Sequence, residues 1–294
     1  MSRASQTGLQ INCSFLGNLA LLAIFMALTA GCIRLALRMS PSVFDNFSVT
    51  LLKECDPELA KDALPGQLKL AETFLKEDPR NRKILESLCM GYAGYALLFV
   101  EQFDPKRASR LYYRALGYGL RAMGIKDIGI KMPSSAMILQ KLKLAAPSTA
   151  FWTSVAWLRW INLNLDNPTA LAQSPLAQAC LEYVIKTQPD YFYGASYAVM
   201  GSVLASKASG LGGELASAKR FFENALNISK GKLYLVQFLY ARYYAVAKQD
   251  RRLFSTLLLS ILDGRTGSED VCLINQVIKR WAKKLLENID DFFI

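Results

Sequence analysis

Residues 81–123 read NRKILESLCMGYAGYALLFVEQ (81–102), FDP (103–105) and KRASRLYYRALGYGLRAM (106–123). In the first part Ile84, Leu88, Tyr92, Tyr95 and Phe99 recur at steps of four, four, three and four, which puts them on one helical stripe. Asp104 has the side chain to cap a second helix, with Pro105 at its first position, where a missing N–H costs nothing. The second part repeats the stripe with Ala108, Leu111, Tyr112, Ala115, Gly119 and Ala122. Its small residues let a partner helix come close, and its tyrosines fill the remaining gap. The stretch therefore predicts an antiparallel helical hairpin with a three-residue turn. One hairpin cannot bury its own apolar face, so the rest of the chain should supply more of them.

The spacing Ala108-x3-Tyr112-x2-Ala115 fits the small-large-small second helix of a tetratricopeptide (TPR) hairpin, and Ala218-x3-Phe222-x2-Ala225 repeats it. Pro57 opens a helix predicted to break at Leu64-Pro65 and resume to Lys76, and Asp78-Pro79 closes it as Pro189-Asp190 closes a later pair. A loop and a short helix (134–143) follow Gly124, then helices over 149–164, 176–186, 191–207, 232–248, 251–262 and 271–288. Gly210-Leu211-Gly212-Gly213 reads as a turn, and it lacks the Gly-Lys-Ser/Thr ending of a phosphate loop. Lys279, Arg280, Lys283 and Lys284 give the last helix a charged outer face suited to an end cap. The fold class is all-α: an irregular, TPR-like array of antiparallel helical hairpins.

The chain has 294 residues, no histidine and a formal charge of +11. Without histidine, Ser-His-Asp and Cys-His catalysis and His-ligated zinc are excluded. Glu77, Glu101 and Asp104 sit near helix ends, where capping or dipole pairing accounts for them. The reading is therefore a non-enzyme with no cofactor and no metal site. Lys and Arg are interleaved with acids, as at Lys76-Glu77-Asp78, instead of forming the single stripe a nucleic-acid binder needs, so no nucleic acid is expected as partner.

Residues 1–31 read as an export signal: Arg3, an apolar run over 15–30, then small residues leading to Cys32. Cys32 fits a bacterial lipoprotein site, although Thr29 stands where a lipobox has leucine. An acylated Cys32 would tether the rest to a membrane on the periplasmic side. Residues 32–55 are tether and lead-in, and 56–294 the helical domain. Cys89, Cys180 and Cys272 lie in apolar helical patterns, so buried free thiols are expected, with a disulfide as the lesser alternative.

The candidate binding feature is aromatic residues set beside small ones: Tyr92 and Tyr95 with Gly91 and Gly94, Tyr112 and Tyr113, Trp152 and Trp157, and Tyr193 and Tyr197 with Gly194 and Gly201. Tyr92, Tyr95, Tyr112, Trp157, Tyr193 and Tyr197 are taken as the lining of an apolar cavity between helices. Ordinary core packing is the competing account of each.

The succession DPELAKDALPGQLKLAETFLKEDPRNRKILESLCMGYAGYALLFVEQ, RASRLYYRALGYGLRA, ASGLGGELASAKRFFENAL and KRWAKKLLENIDDFF resembles the T component of TRAP transporters, over nearly all of the chain from about Phe44. The matching positions are Gly91–Tyr95 and Leu211–Gly213. The resemblance implies a periplasmic lipoprotein with cryptic TPR hairpins, forming a homotrimer and docking a TRAP-type periplasmic solute-binding protein. It also implies a channel or cavity for a hydrophobic, carboxylate-bearing small-molecule ligand, and it carries no catalytic motif. The competing function is a TPR scaffold for envelope assembly with no ligand of its own.

Overall fold

The structure, a computed structural model, describes residues 42–125, 134–211, 214–265 and 267–294. The signal, Cys32, most of the tether, and Gly212 and Gly213 lie outside the described residues. Among the described residues there are twelve main helices and no strands: α1 (Ser42–Lys53), α2 (Pro57–Glu77), α3 (Arg82–Tyr95), α4 (Pro105–Ala122), α5 (Ser135–Leu142), α6 (Pro147–Asn162), α7 (Ser174–Thr187), α8 (Ala195–Leu211), α9 (Leu215–Ser229), α10 (Tyr234–Leu239), α11 (Arg251–Asp263) and α12 (Cys272–Glu287). Two helices run on through wider π turns, α3 into Ala96–Val100 and α10 into Tyr240–Ala245.

Local chemistry sets the starts. Asp104 Oδ1 accepts from the Arg107 N–H at 2.9 Å with Pro105 first in α4, as the spacing predicts. Asp56, Asn81, Ser134 and Asp250 cap α2, α3, α5 and α11 in the same way, each contributing about 1 kcal/mol. Ala108, Tyr112 and Ala115 of α4, and Ala218, Phe222 and Ala225 of α9, are all fully buried, so both small-large-small patterns face a partner helix. At Gly119 the approach is closest: a Cβ there would lie 2.2 Å from Thr153 Oγ1 of α6, so only glycine lets α4 and α6 pack at this distance.

Several expectations are corrected. Pro65 does not break α2, which runs unbroken from Pro57 to Glu77; the missing N–H costs one hydrogen bond, and packing of Leu64 and Leu68 on both sides holds the helix together. The helix expected from residue 191 starts at Ala195, because Phe192 (φ 49°), Tyr193 (φ 56°) and Gly194 (φ 73°) are left-handed in succession. Cys272 is not a free thiol: it is bonded to Cys55, 217 residues away, while Cys89 and Cys180 are buried and free as expected. Burial pushes the Cys89 and Cys180 thiols up to about 12, so they stay protonated and inert.

The largest departure concerns the end of the array. Packing follows chain order, α2 on α3, α3 on α4, α4 on α6, α6 on α7, α8 on α9 and α11 on α12, but α12 then packs on α1 and α2. Arg280 donates to Glu58 at 2.7 Å and Lys53 pairs with Asp270 at 3.0 Å beside the disulfide. The last helix is therefore a closure instead of a polar end cap, and the array forms a ring. The helix Arg82–Val100 is long and apolar enough to cross a membrane, but half of that span is buried, against α2, α4 and α6.

Candidate ligand-binding cavity

The helices packed in this way leave space between them. The larger cavity, about 380 Å³, is walled by Gly94, Leu97 and Leu98 of α3 and its π turn, Phe151, Trp152, Val155 and Arg159 of α6, and Phe192. Val199, Ser202 and Val203 of α8, Leu235 and Leu239 of α10, Tyr243 of its π turn, and Ile274 of α12 are also part of the wall. A second cavity, about 160 Å³, is walled by Leu51 and Leu52 of α1, Leu64, Leu68 and Phe74 of α2, and Met90 and Gly91. The two share Gly94, Leu98, Trp152 and Ile274 as common wall. Exposed Leu165 and Leu171 also border the larger cavity, beside Asn162 and Ser174.

Glycines make this space. A Cβ at Gly94 would meet nothing within 4 Å. Gly91, Gly94 and Leu98 sit at i, i+3 and i+7 and so share one face of the helix, while Tyr92 and Tyr95 lie one residue on, about 100° further round. The same arithmetic that placed tyrosines beside glycines thus turns the tyrosines away from the cavity.

Tyr92 donates to Glu72 Oε1 at 2.8 Å, accepts from Arg114, and stacks on Tyr118, which donates to the same oxygen at 2.7 Å. Tyr95 packs on Phe99 under the Arg107 guanidinium. Trp157 is fully buried and donates to Gln173 Oε1 at 2.8 Å. The Tyr193 hydroxyl meets Ser268 Oγ at 3.0 Å, and Tyr197 packs on Phe221. Tyr112 donates to Glu101 Oε2 at 2.6 Å, and burial pushes its phenol well above its ordinary range. None of these six lines either cavity. From the wider aromatic set it is Trp152 that reaches the wall, with Gly94 and Gly91.

Two polar lining residues of the larger cavity, Arg159 and Tyr243, belong to one network with Glu101 and Tyr112 behind the wall. Glu101 does stand at a helix end, but its carboxylate serves a network and not a cap: Arg159 Nε donates to its Oε2 at 3.1 Å, Arg159 Nη2 donates to Oε1, and Tyr112 donates to Oε2. Arg159 Nη1 donates in turn to Tyr243 Oη at 3.2 Å. Both charges are largely withdrawn from water, with the Glu101 side chain 14% and Arg159 24% exposed, so the pair holds only because its lone pairs and protons are shared out this fully. Glu101 immediately follows the π turn of α3, and Tyr243 lies within that of α10. A π turn adds a residue to the helical repeat and re-aims the side chains beyond it, and such turns concentrate at functional sites. No 3.6-residue count finds Glu101 or Tyr243, so the sequence stripe misses them.

Phe192 reaches the wall through its left-handed backbone, edge-on to Trp152 at 5.3 Å and beside Phe151 at 5.8 Å. Left-handed residues other than glycine cost about 1–2 kcal/mol each, and this pair is held by the aromatic cluster on one side and Tyr193–Ser268 on the other. The described residues include no group of acids and cysteines placed to hold a metal ion.

No curated protein matches the chain. The family model described as TRAP transporter T-component matches residues 53–293, which takes in every helix from α2 to α12 and all of the network at Glu101, Arg159 and Tyr243. The chain belongs to the TRAP transporter T-component family.

Proposed function

We propose that this protein is a lipid-anchored periplasmic component that holds an apolar molecule inside its ring of helices and exchanges it with the solute-binding protein of a TRAP-type transporter. Membership of the family already gives a non-enzymatic accessory role in such a transport system and a place in the cell envelope. The observation that carries the finer reading is the cavity: about 380 Å³ lined largely by leucine, valine and aromatic side chains. Pockets of this size and character are where proteins take small apolar ligands. A scaffold with no ligand has no use for the open space at Gly94, where an added Cβ would meet nothing within 4 Å.

Cys32 is the proposed acylation site and a homotrimer the proposed assembly. Two measurements test the reading. Affinity capture of the tagged chain from the native envelope is expected to recover a solute-binding protein of TRAP type. Organic extraction of the purified protein, read by mass spectrometry, is expected to release an apolar compound in near-stoichiometric amount. Capture of envelope-assembly proteins alone, with nothing extracted, would replace transport by the scaffold function.

A further inference from the structure

The network at the end of the larger cavity says what kind of apolar molecule fits. Of the residues lining it, Arg159 alone is charged. Its positive charge is matched inside the protein by Glu101, whose two oxygens already accept three hydrogen bonds. The wall therefore presents a neutral pair and no spare cation. A ligand carboxylate placed there would sit a few ångströms from the Glu101 carboxylate, and like charges at such separation disfavour each other's ionised form. It would also lose its own hydration with no net charge to replace it.

What the wall does offer is protons. Tyr243 Oη accepts from Arg159 Nη1, so its lone pair is engaged, and its own O–H finds no acceptor among the described residues. Acceptance from a charged donor polarises that O–H and makes it the better donor. Trp152 is 5% exposed, stands in the wall shared by both cavities, and its Nε1–H has no hydrogen-bond partner. Its polar neighbour is the Tyr191 hydroxyl, which lines neither cavity, so the donor that serves the larger cavity is Tyr243. Ser202 and Ser206 do not compete, since they donate back to the Ala198 and Ser202 carbonyls of their own helix, and Asn162 and Ser174 lie at the rim beside exposed Leu165 and Leu171. A donor that borders an apolar space without an acceptor calls for a guest that accepts.

We propose, resting on the reading of this space as the ligand chamber, that it selects uncharged apolar molecules bearing a hydrogen-bond acceptor, such as an ester or a ketone, over apolar carboxylates. Tyr243 supplies the donor, and the Arg159–Glu101 pair both polarises Tyr243 and removes the charge that a carboxylate would need. The class differs from the carboxylate-bearing ligand implied by resemblance.

The test uses the delipidated full-length mature chain and a neutral environment-sensitive dye, N-phenylnaphthylamine, displaced at pH 8 by dodecane, methyl dodecanoate or dodecanoate. The ester is expected to displace the dye at a concentration at least about tenfold lower than dodecanoate. Tyr243→Phe should cut the lead of the ester over dodecane roughly two- to tenfold, the worth of one neutral hydrogen bond, while leaving dodecane itself unmoved. Glu101→Gln should free the arginine and improve dodecanoate relative to the ester. Dodecanoate matching or beating the ester on the unaltered chain would overturn the proposal while leaving the chamber intact, and so would an unchanged ester-to-dodecane ratio in Tyr243→Phe. Failure of the dye and of all three compounds to bind would overturn the chamber reading and this one with it.

Discussion

Gly94 and Glu72 show how single residues divide the work between cavity and core. Gly94 faces open space, so a side chain there costs no contact and removes the entropy penalty of glycine within a helix. Gly94→Leu is expected to raise stability by about 0.5–1 kcal/mol in a denaturant titration and to abolish retention of the extracted compound. A loss of stability instead would mean that the space is already closed in solution. Glu72 is the opposite case, a carboxylate enclosed on purpose. Burial works to raise its pKa, but hydrogen bonds from Lys69, Tyr118 and Tyr92 outweigh that and hold it below the ordinary range. Because the folded-state pKa is depressed, the stabilisation is present above the unfolded value of about 4.3 and is lost as pH falls through the lower folded value. Urea midpoints taken from pH 6 down to pH 3 should therefore fall less steeply for Glu72→Gln than for the unaltered chain; parallel curves would remove Glu72 from the account.

Among the helices, α1 is the one whose position depends most on one bond. Its Leu51 and Leu52 wall the smaller cavity, it ends two residues before Cys55, and Cys55 is tied to the first residue of α12. Lys53–Asp270 adds an ion pair exposed on both sides, which contributes little by comparison. A disulfide closing a loop of this length restricts the unfolded chain strongly and typically adds about 2–4 kcal/mol. The Cys55→Ser/Cys272→Ser double variant is expected to lose about that much and to become insensitive to dithiothreitol, whereas the unaltered chain should fall to the same denaturant midpoint when reduced. Hydrogen exchange should localise the loosening to 42–53 and 272–287. Exchange unchanged in both segments on reduction would show that packing alone seats α1.

Across the molecule, ring closure decides the character of unfolding. An open helical-repeat array loses roughly one repeat's worth of stability when its last repeat is removed, because each unit touches only its neighbours. Here α12 touches α10, α11, α1 and α2, and supplies Ile274 to both cavities. A chain ending at Asp263 is thus expected to lose its near-ultraviolet dichroism and its cooperative thermal transition, not merely a helix's share of far-ultraviolet signal. A sharp melt at slightly lower temperature would indicate an open array.

Most of the helices, the Asp104 cap and the first hairpin were legible in the chain alone, because these depend on neighbours within a few residues: Asp104 with Arg107, Ala108 with Tyr112 and Ala115. The family was legible too, through the succession of its segments. Which face of α3 looks inward was not, since Gly94 and Tyr95 are adjacent in the chain and only packing tells which of them meets a neighbour. Nor were Glu101, Arg159 and Tyr243 visible as one network: residues 58 and 84 apart are joined by tertiary packing, and π turns remove the first and last from the regular count. The pairing of Cys55 with Cys272 was likewise a matter of ring closure, which brings their Cα atoms to 5.1 Å. Local structure follows from local chemistry, whereas the cavity is a property of the space left when distant helices meet, and no stretch of the chain encodes it alone.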